Sequence, residues 1–388
     1  MKIKLAIISS HPIQYNAPMF ALLAKSKKIE PKIFYTWSQS KESLFDVDFG
    51  KTIEWDIPLL DGYEYEFVEN IAADPGPHHG KGIDCPGLPT AIEKWGADAI
   101  LIFGWNYKAH NEAMKYFKGK IPIYFRGDST LIDEQGGIKQ LLRRLYLKWV
   151  YRNTDYAFYV GKNNKEYFLA HGIPDDKLFF APHAIDNDRF NDSTGEYSKE
   201  AKDMRKELGI PEKDVVILFV GKFESKKNPL ILIEAAKRIN DENLHFVFVG
   251  NGDWESDMKK KSKDMKNIHY LAFQNQSRMP VIYYLADILA LPSQGPGETW
   301  GLVVNEAMAC GRAILVSTKA GCYSNLVENG INGYVFESGN LDECVESIEK
   351  MNSKEICAKM GKQSQIMIQN WSFGEIVKSL ETHITNYK

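Results

Sequence analysis

Short, continuous apolar runs recur along the chain, each followed by a stretch with helical spacing of its apolar residues. A first series comprises IKLAIISS (3–10), PKIFYTW (31–37), ADAILIFG (97–104), IPIYFRGD (121–128), TDYAFYVG (154–161) and KLFFAPHA (177–184). A second comprises DVVILFVG (214–221), LHFVFVG (244–250), NIHYLAF (267–273), DILALPS (287–293) and RAILVST (312–318). Runs that are β-branched and aromatic throughout, rather than alternating with polar residues, predict parallel strands buried on both faces by the helices between them. The stretch from Ile185 to Lys202 is polar and rich in Asp, Asn, Ser and Glu. It is read as a linker, with one domain over 1–185 and a second over 186–365. The expected class is α/β, two Rossmann-like domains with a cleft between them and ligands at the carboxyl ends of strands.

Two parts of the first domain break the rhythm. Residues 40–90 include DPGPHHGKGIDCPGLP, whose glycines and prolines predict a loop. Residues 138–152, IKQLLRRLYLKWVYR, predict an amphipathic helix, with Leu141, Leu142, Leu145 and Trp149 at helical spacing among Lys139, Arg143, Arg144, Lys148 and Arg152. Two readings of it stay open: a domain helix with its apolar face packed inward, or a basic helix lying on an anionic membrane surface.

Composition narrows the classes. A chain of 388 residues is too long for one ordinary core. Its 44% hydrophobic and 26% charged residues describe a globular protein. The net charge of −3 gives no global field that favours nucleic acid. The five cysteines (Cys85, Cys310, Cys322, Cys344, Cys357) form no CxxC pair and are expected to be reduced thiols. The first strand begins almost at Met1 with no basic segment and long apolar run before it, and no run reaches the length of a membrane span. The expected location is therefore cytoplasmic, including the inner face of a membrane.

The richest stretch is GPGETWGLVVNEAMACG, which lies between the strand runs 288–291 and 313–316. Gly295, Gly297 and Gly301 let a loop turn sharply and approach a ligand. A following helix turns its first N–H groups toward that loop, a geometry suited to phosphate. Two carboxylates, Glu298 and Glu306, flank it and can accept hydrogen bonds from hydroxyls. A phosphorylated, hydroxyl-bearing ligand such as a nucleotide sugar meets both demands. A two-carboxylate hydrolase would leave the phosphate features unused.

The same residues, Glu298-Thr299-Trp300-Gly301-Leu302 through Glu306-Ala307-Met308-Ala309-Cys310-Gly311, resemble the E-x7-E block of retaining GT-B glycosyltransferases of the family 4 type (glycosyl transferases group 1). GKFESKKNPLILIEA (221–235) resembles that family's glycine-basic segment, VGNGD (249–253) its glycine turn near the nucleotide, and LAFQNQSRMP (271–280) the segment that wraps the base. KAGCYSNLVENGINGYVF (319–336) and NWSFGEIVKSLETHI (370–384) resemble its next loop and its terminal helix, the latter crossing back to the first domain over 366–388. The resemblance implies that Lys222 and Lys227 stabilise the leaving diphosphate and that Glu298 faces the sugar. It further implies that Glu306 holds the ribose, and that Gly221, Gly250, Phe273, Thr299, Trp300, Gly301 and Leu302 contribute to the donor site. Lys222 departs from the usual arginine and loses its bidentate fork.

The first domain departs further. SSHPIQYNAP (9–18) has no glycine where the family has a glycine-rich loop, and places His11 at the end of a strand. Arg126 stands at or near the family's histidine, with Asp128 beside it as a proton acceptor or sugar ligand; their alternative is a buried ion pair. His183, in PHAIDNDRF (182–190), stands where the family often has asparagine. The DND of that segment and the DVD at 46–48 mimic metal-binding motifs, and Asp74, His78, His79, Asp84 and Cys85 could cluster, but no metal is expected because lysines and helix termini neutralise the phosphates. The resemblance implies a retaining, metal-independent transferase without cofactor, using a nucleotide-diphosphate sugar and a glycan or lipid-linked acceptor in cell-surface polysaccharide assembly. A nucleotide-sugar epimerase and a catalytically silent sugar-nucleotide-binding scaffold remain the alternatives.

Overall fold

The computed structural model describes residues 2–37, 44–46, 51–53 and 56–385. The chain forms two units that divide at His183/Ala184, and the terminal segment from Phe373 rejoins the first.

The first unit is built on a seven-stranded parallel sheet. Its strands are β1 (Ile3–Ser9) and β2 (Ile29–Tyr35), then, past a separate two-stranded ribbon of β3 (Leu44–Asp46) and β4 (Lys51–Ile53), β5 (Glu64–Phe67), β6 (Ala99–Phe103), β7 (Ile123–Arg126), β8 (Tyr156–Tyr159) and β9 (Leu178–Phe180). The order is β5-β2-β1-β6-β7-β8-β9. At the centre of this sheet, Leu5 and Ile7 of β1 and Ile100 and Leu101 of β6 are all fully buried, as strands covered on both faces require. β5 was not expected. Its sequence EYEF is charged and half-exposed, because it lies at the sheet edge, where Lys32 of β2 pairs with Glu64 at 3.2 Å and Glu66 at 3.0 Å. The glycine-rich stretch around it also gives way to a helix, Leu88–Trp95.

The closing helix Phe373–Thr385 packs onto this first unit. The His383 ring stacks on Phe179 at 3.8 Å, and Tyr124 Oη donates to the His383 carbonyl at 3.3 Å.

The second unit carries β10 (Val215–Val220), β11 (Leu244–Val249), β12 (Ile268–Leu271), β13 (Ile288–Leu291), β14 (Ala313–Ser317) and β15 (Gly333–Phe336) in the order β12-β11-β10-β13-β14-β15, all parallel. The sheet runs outward from β10 in both directions, so the connections reverse between β10 and β13. That reversal opens a crevice at the carboxyl ends of these two strands.

The stretch read as a linker is more ordered than its composition suggests. Phe190 is fully buried, Asn187 Nδ2 donates to the carbonyls of Ile368 (3.2 Å) and Trp371 (3.3 Å), and a helix already runs over Glu196–Glu207. Polar residues there serve as caps and carbonyl partners, which composition alone cannot distinguish from solvated chain.

Candidate functional site

The crevice of the second unit gathers most of the residues singled out in sequence. Gly221–Lys227 follow β10 and Pro292–Glu298 follow β13, the two strands that flank the reversal. The two loops are tied together. Gln294 N donates to the Lys226 carbonyl at 2.9 Å, and Gln294 Nε2 to Ser225 Oγ at 3.0 Å. Lys227 Nζ forms an ion pair with Glu298 Oε2, which also accepts from Ser293 Oγ at 3.2 Å. Glu298 is only 8% exposed, and a carboxylate so withdrawn from water needs such partners. The result is an ammonium and a carboxylate fixed against each other across the mouth of the sheet.

Glycine is required here for close approach. A Cβ on Gly250 would lie 2.1 Å from the Gly221 carbonyl oxygen, so the turns after β10 and β11 touch backbone to backbone. Gly301 adopts φ +98°, and Gly321 lies so near the Thr299 carbonyl that a Cβ would come within 1.8 Å of its oxygen. Gly321 N donates to the Glu298 carbonyl and Cys322 N to that of Trp300, both at 3.0 Å. The loop bearing Glu298 and Thr299 is thus held from behind by the loop after β14. Lys222 and Phe273 sit half-buried in the loops after β10 and β12.

Glu306 lies on the helix Val303–Ala309, with Leu302 at its N-cap. This helix has only two turns, so its dipole is weaker than the sequence pattern alone suggests. Glu306 is 1% exposed and accepts a hydrogen bond of 2.5 Å from Tyr283 Oη, itself fully buried. Trp300 presents its backbone to the loop, but its side chain is structural: Nε1 donates to Asn305 Oδ1 at 2.9 Å and the ring packs on Trp371 at 5.2 Å. Tyr283, Ser293 and Gly321 were missed in sequence. Tyr283 is hidden in the apolar helix Met279–Leu285, where two adjacent phenols, its own and that of Tyr284, hint at partners without telling which one serves Glu306.

The first unit places its candidates at the carboxyl ends of β1 and β7. His11 follows β1, with Nδ1 at 2.9 Å from Ser10 Oγ and its ring edge-on to Trp37 at 5.2 Å. Arg126 is not a reacting group. Its guanidinium is buried and donates to the carbonyls of Ala181 and Pro182, both at 2.8 Å, and burial lowers its pKa to about 10, so it remains a cation at neutral pH. This clamp fixes the segment leading to His183, and the charge of Asp128 acts on the guanidinium beside it, which is nearer the alternative of a buried charge pair than a reacting role. Asp128 is half-exposed, with Oδ2 3.9 Å from His183 Nε2.

Burial pushes the imidazoles of His11, His110 and His183 down to about 4 from an ordinary 6.5. The fold therefore favours their neutral forms. That stability is fully present above the unfolded value of about 6.5 and is lost as pH falls through it toward 4. The urea midpoint is expected to drop steadily from about pH 6.5 to about 5, before most carboxylates titrate. A midpoint that stays level across that window would mean these histidines are solvated.

Of the five residues read as a possible metal cluster, Asp74, His78 and His79 come together, with one ligand atom of each within 4.8 Å of the others, while Asp84 and Cys85 are engaged elsewhere. Asp74 Oδ2 lies 3.2 Å from both His78 Nε2 and His79 Nε2, on the exposed loop. Lys81 N donates to His79 Nδ1 at 3.2 Å, which leaves the proton on His79 Nε2 and makes that nitrogen a donor to Asp74. Asp84 pairs with Lys108 at 2.7 Å, and Cys85 donates to the Thr36 carbonyl with its thiol pKa pushed up to about 12 by burial. In the DND, Asp186 Oδ1 accepts from Arg189 N at 3.4 Å and Asn187 serves the carbonyls already described. Of the DVD, Val47 and Asp48 lie outside the described residues.

Residues 200–368 match the family of glycosyl transferases group 1. The lipopolysaccharide 1,2-N-acetylglucosaminetransferase of Salmonella typhimurium is 27% identical over 206 residues, 49% of this chain and 54% of that protein. The UDP-Gal:alpha-D-GlcNAc-diphosphoundecaprenol alpha-1,3-galactosyltransferase of Escherichia coli is 28% identical over 202 residues, 50% of each. The chain spans about half the length of these curated relatives. Among solved structures, Anabaena HepE in complex with UDP aligns over 100% of both chains with a TM-score of 0.72 and 16% identity, and the fold is that of the GT-B glycosyltransferases.

Proposed function

We propose that this chain, whose residues 200–368 match glycosyl transferases group 1, moves a sugar from a nucleotide-diphosphate sugar to a glycan or lipid-linked acceptor in the assembly of a surface polysaccharide. The observation that carries the reading is the Lys227–Glu298 pair at the crevice between β10 and β13, beside the touching glycine turns at Gly221 and Gly250. A fixed cation there meets the charge that develops on a departing diphosphate, and glycine backbones admit it closely. The relatives whose names specify lipopolysaccharide and diphosphoundecaprenol substrates support the acceptor class, and the UDP held by HepE supports uracil as the first base to try. The first unit takes the acceptor.

Among the described residues, no side chain at the crevice is set as a nucleophile toward a sugar, and the resemblance of residues 298–311 to the E-x7-E block of retaining transferases supports retention by attack on the face that the leaving group departs from. The bond from the anomeric carbon to the diphosphate oxygen breaks, the acceptor oxygen bonds to that carbon, and the acceptor proton passes to the diphosphate. Lys222 and Lys227 neutralise the anion, so the reaction needs no divalent cation. Glu298 takes a sugar hydroxyl and Glu306 the ribose diol. The epimerase and silent-scaffold alternatives have no observation that favours them.

The test is a thermal-shift and sugar-release screen with UDP-, GDP-, ADP- and dTDP-sugars, with and without chelator, and Glu306→Ala as control. Stabilisation by one nucleotide class, unchanged by chelator and lost in the variant, is the expected result. Protein that no nucleotide stabilises would refute the donor site. Gly321→Ala supplies a separate check: its methyl must displace the Thr299 carbonyl and with it Glu298, so transfer is expected to fall roughly 10²-fold. Unchanged turnover in Gly321→Ala would show that the loop after β14 does not position the site.

A further inference from the structure

The helix Ile138–Tyr151 has apolar residues on both sides, and the structure buries the less conspicuous set. Leu147, Val150 and Tyr151 face the core of the first unit. Ile138, Leu141, Leu142, Leu145, Tyr146 and Trp149 point outward, each between 46% and 75% exposed. At about 100° per residue these six fall within about 140° of the helix circumference, one continuous ridge. Isolated exposed apolar residues are ordinary, but a contiguous ridge of six marks a contact surface. The ridge continues onto the neighbouring helix Lys108–Phe117, where Lys115 Nζ sits 4.6 Å above the Trp149 ring and Tyr116 is exposed.

The charges around the ridge indicate its partner. Lys139 and Arg143 border one edge, and Lys148 and Arg152 the other, all exposed. Arg144 is the exception, turned away to pair with Glu134 at 2.7 Å. The stretch 136–154 contains no carboxylate at all, in a chain whose net charge is −3. Two copies of this face brought together would oppose like charges, which disfavours self-association. The helix presents a convex face about 21 Å long, with long cationic stems on either side and two aromatic rings in the ridge. That form suits a flat surface with an apolar interior and an anionic outer layer.

We propose that this outward face docks the protein on an anionic phospholipid bilayer, with the ridge entering the headgroup boundary and Lys139, Arg143, Lys148 and Arg152 meeting lipid phosphates. Such docking would hold the first unit at the plane where a lipid-linked acceptor resides, yet it depends on no donor or acceptor chemistry. Its failure and the failure of the transferase reading are therefore separable.

The experiment is co-sedimentation of the full chain with phosphatidylcholine vesicles, with and without phosphatidylglycerol, at low and high salt. Wild-type protein is expected to bind the anionic vesicles and to release in high salt. The triple variant Leu142→Ser/Leu145→Ser/Trp149→Ser and the charge variant Lys139→Glu/Arg143→Glu should each bind at least about tenfold more weakly. Both alter exposed side chains, and an unchanged melting temperature checks their folding. The charge variant also keeps the test valid where the triple variant misfolds. A blue shift of tryptophan emission on adding anionic vesicles, absent in Trp149→Phe, would place the ridge itself in the boundary. Failure to bind anionic vesicles, or binding that neither variant weakens, would overturn the proposal. So would a wild-type dimer that the triple variant converts to monomer, since the ridge would then be a self-interface.

Discussion

Lys227→Ala is expected to lower sugar transfer by roughly 10²–10³-fold, the cost of removing one preorganised donor to a developing anion. The side chain is fixed before substrate arrives: Nζ is held by Glu298, whose second partner is Ser293. Its charge costs little reorganisation when the diphosphate departs, and the surrounding burial strengthens it. A second effect runs alongside. Removing the ammonium leaves Glu298 nearly buried without its counter-ion, which costs about 3–5 kcal/mol of stability. The two effects separate in the double variant Lys227→Ala/Glu298→Ala, which should recover much of the melting temperature and none of the transfer. Lys227→Arg should retain part of both, because it keeps the charge with a different reach. The measurement is kcat and KM for the donor below each variant's melting temperature. Near-wild-type transfer by Lys227→Ala under those conditions would remove Lys227 from the chemistry.

The β-rich framework was legible because its central strands are continuous apolar runs; β10 (VVILFV) and β11 (LHFVFV) could hardly be anything else in an alternating α/β pattern. The crevice was legible for a related reason. Gly250 allows a backbone contact with Gly221 that no other residue permits, and Gly221 and Gly301 adopt positive φ, so all three stand out in sequence as they do in space. What was hidden depended on direction or on carbonyl partners. Helical periodicity showed that residues 138–152 are amphipathic, but it could not say which of two apolar faces turns inward, and Leu147, Val150 and Tyr151 took the core. Arg126 looked like a catalytic substitute because a sequence does not display the carbonyls of Ala181 and Pro182 that occupy it. β5 was missed because an edge strand needs only one covered face, and its charges answer Lys32 rather than a core.

Glu306→Ala is expected to lower nucleotide affinity by at least about 100-fold, from the loss of two charge-assisted hydrogen bonds to ribose hydroxyls at about 1.5–3 kcal/mol each. The carboxylate is held in place by Tyr283, whose hydroxyl donates to Oε2 from a fully buried ring. Tyr283→Phe should therefore weaken nucleotide binding by a smaller factor, about tenfold, since it removes the support and leaves the carboxylate. A purely structural Glu306 would behave differently: both variants would lose melting temperature, and each would bind whatever nucleotide it could still fold around with ordinary affinity. The decisive comparison uses inorganic pyrophosphate beside UDP, the two sharing a diphosphate and differing in the ribose and base. Titration calorimetry on folded Glu306→Ala should show UDP affinity falling while pyrophosphate affinity holds. Equal losses for both ligands would mean that Glu306 shapes the phosphate loop rather than reading the sugar of the nucleotide. Undiminished UDP binding would take Glu306 out of the donor site and leave that site resting on the Lys227–Glu298 pair and Lys222.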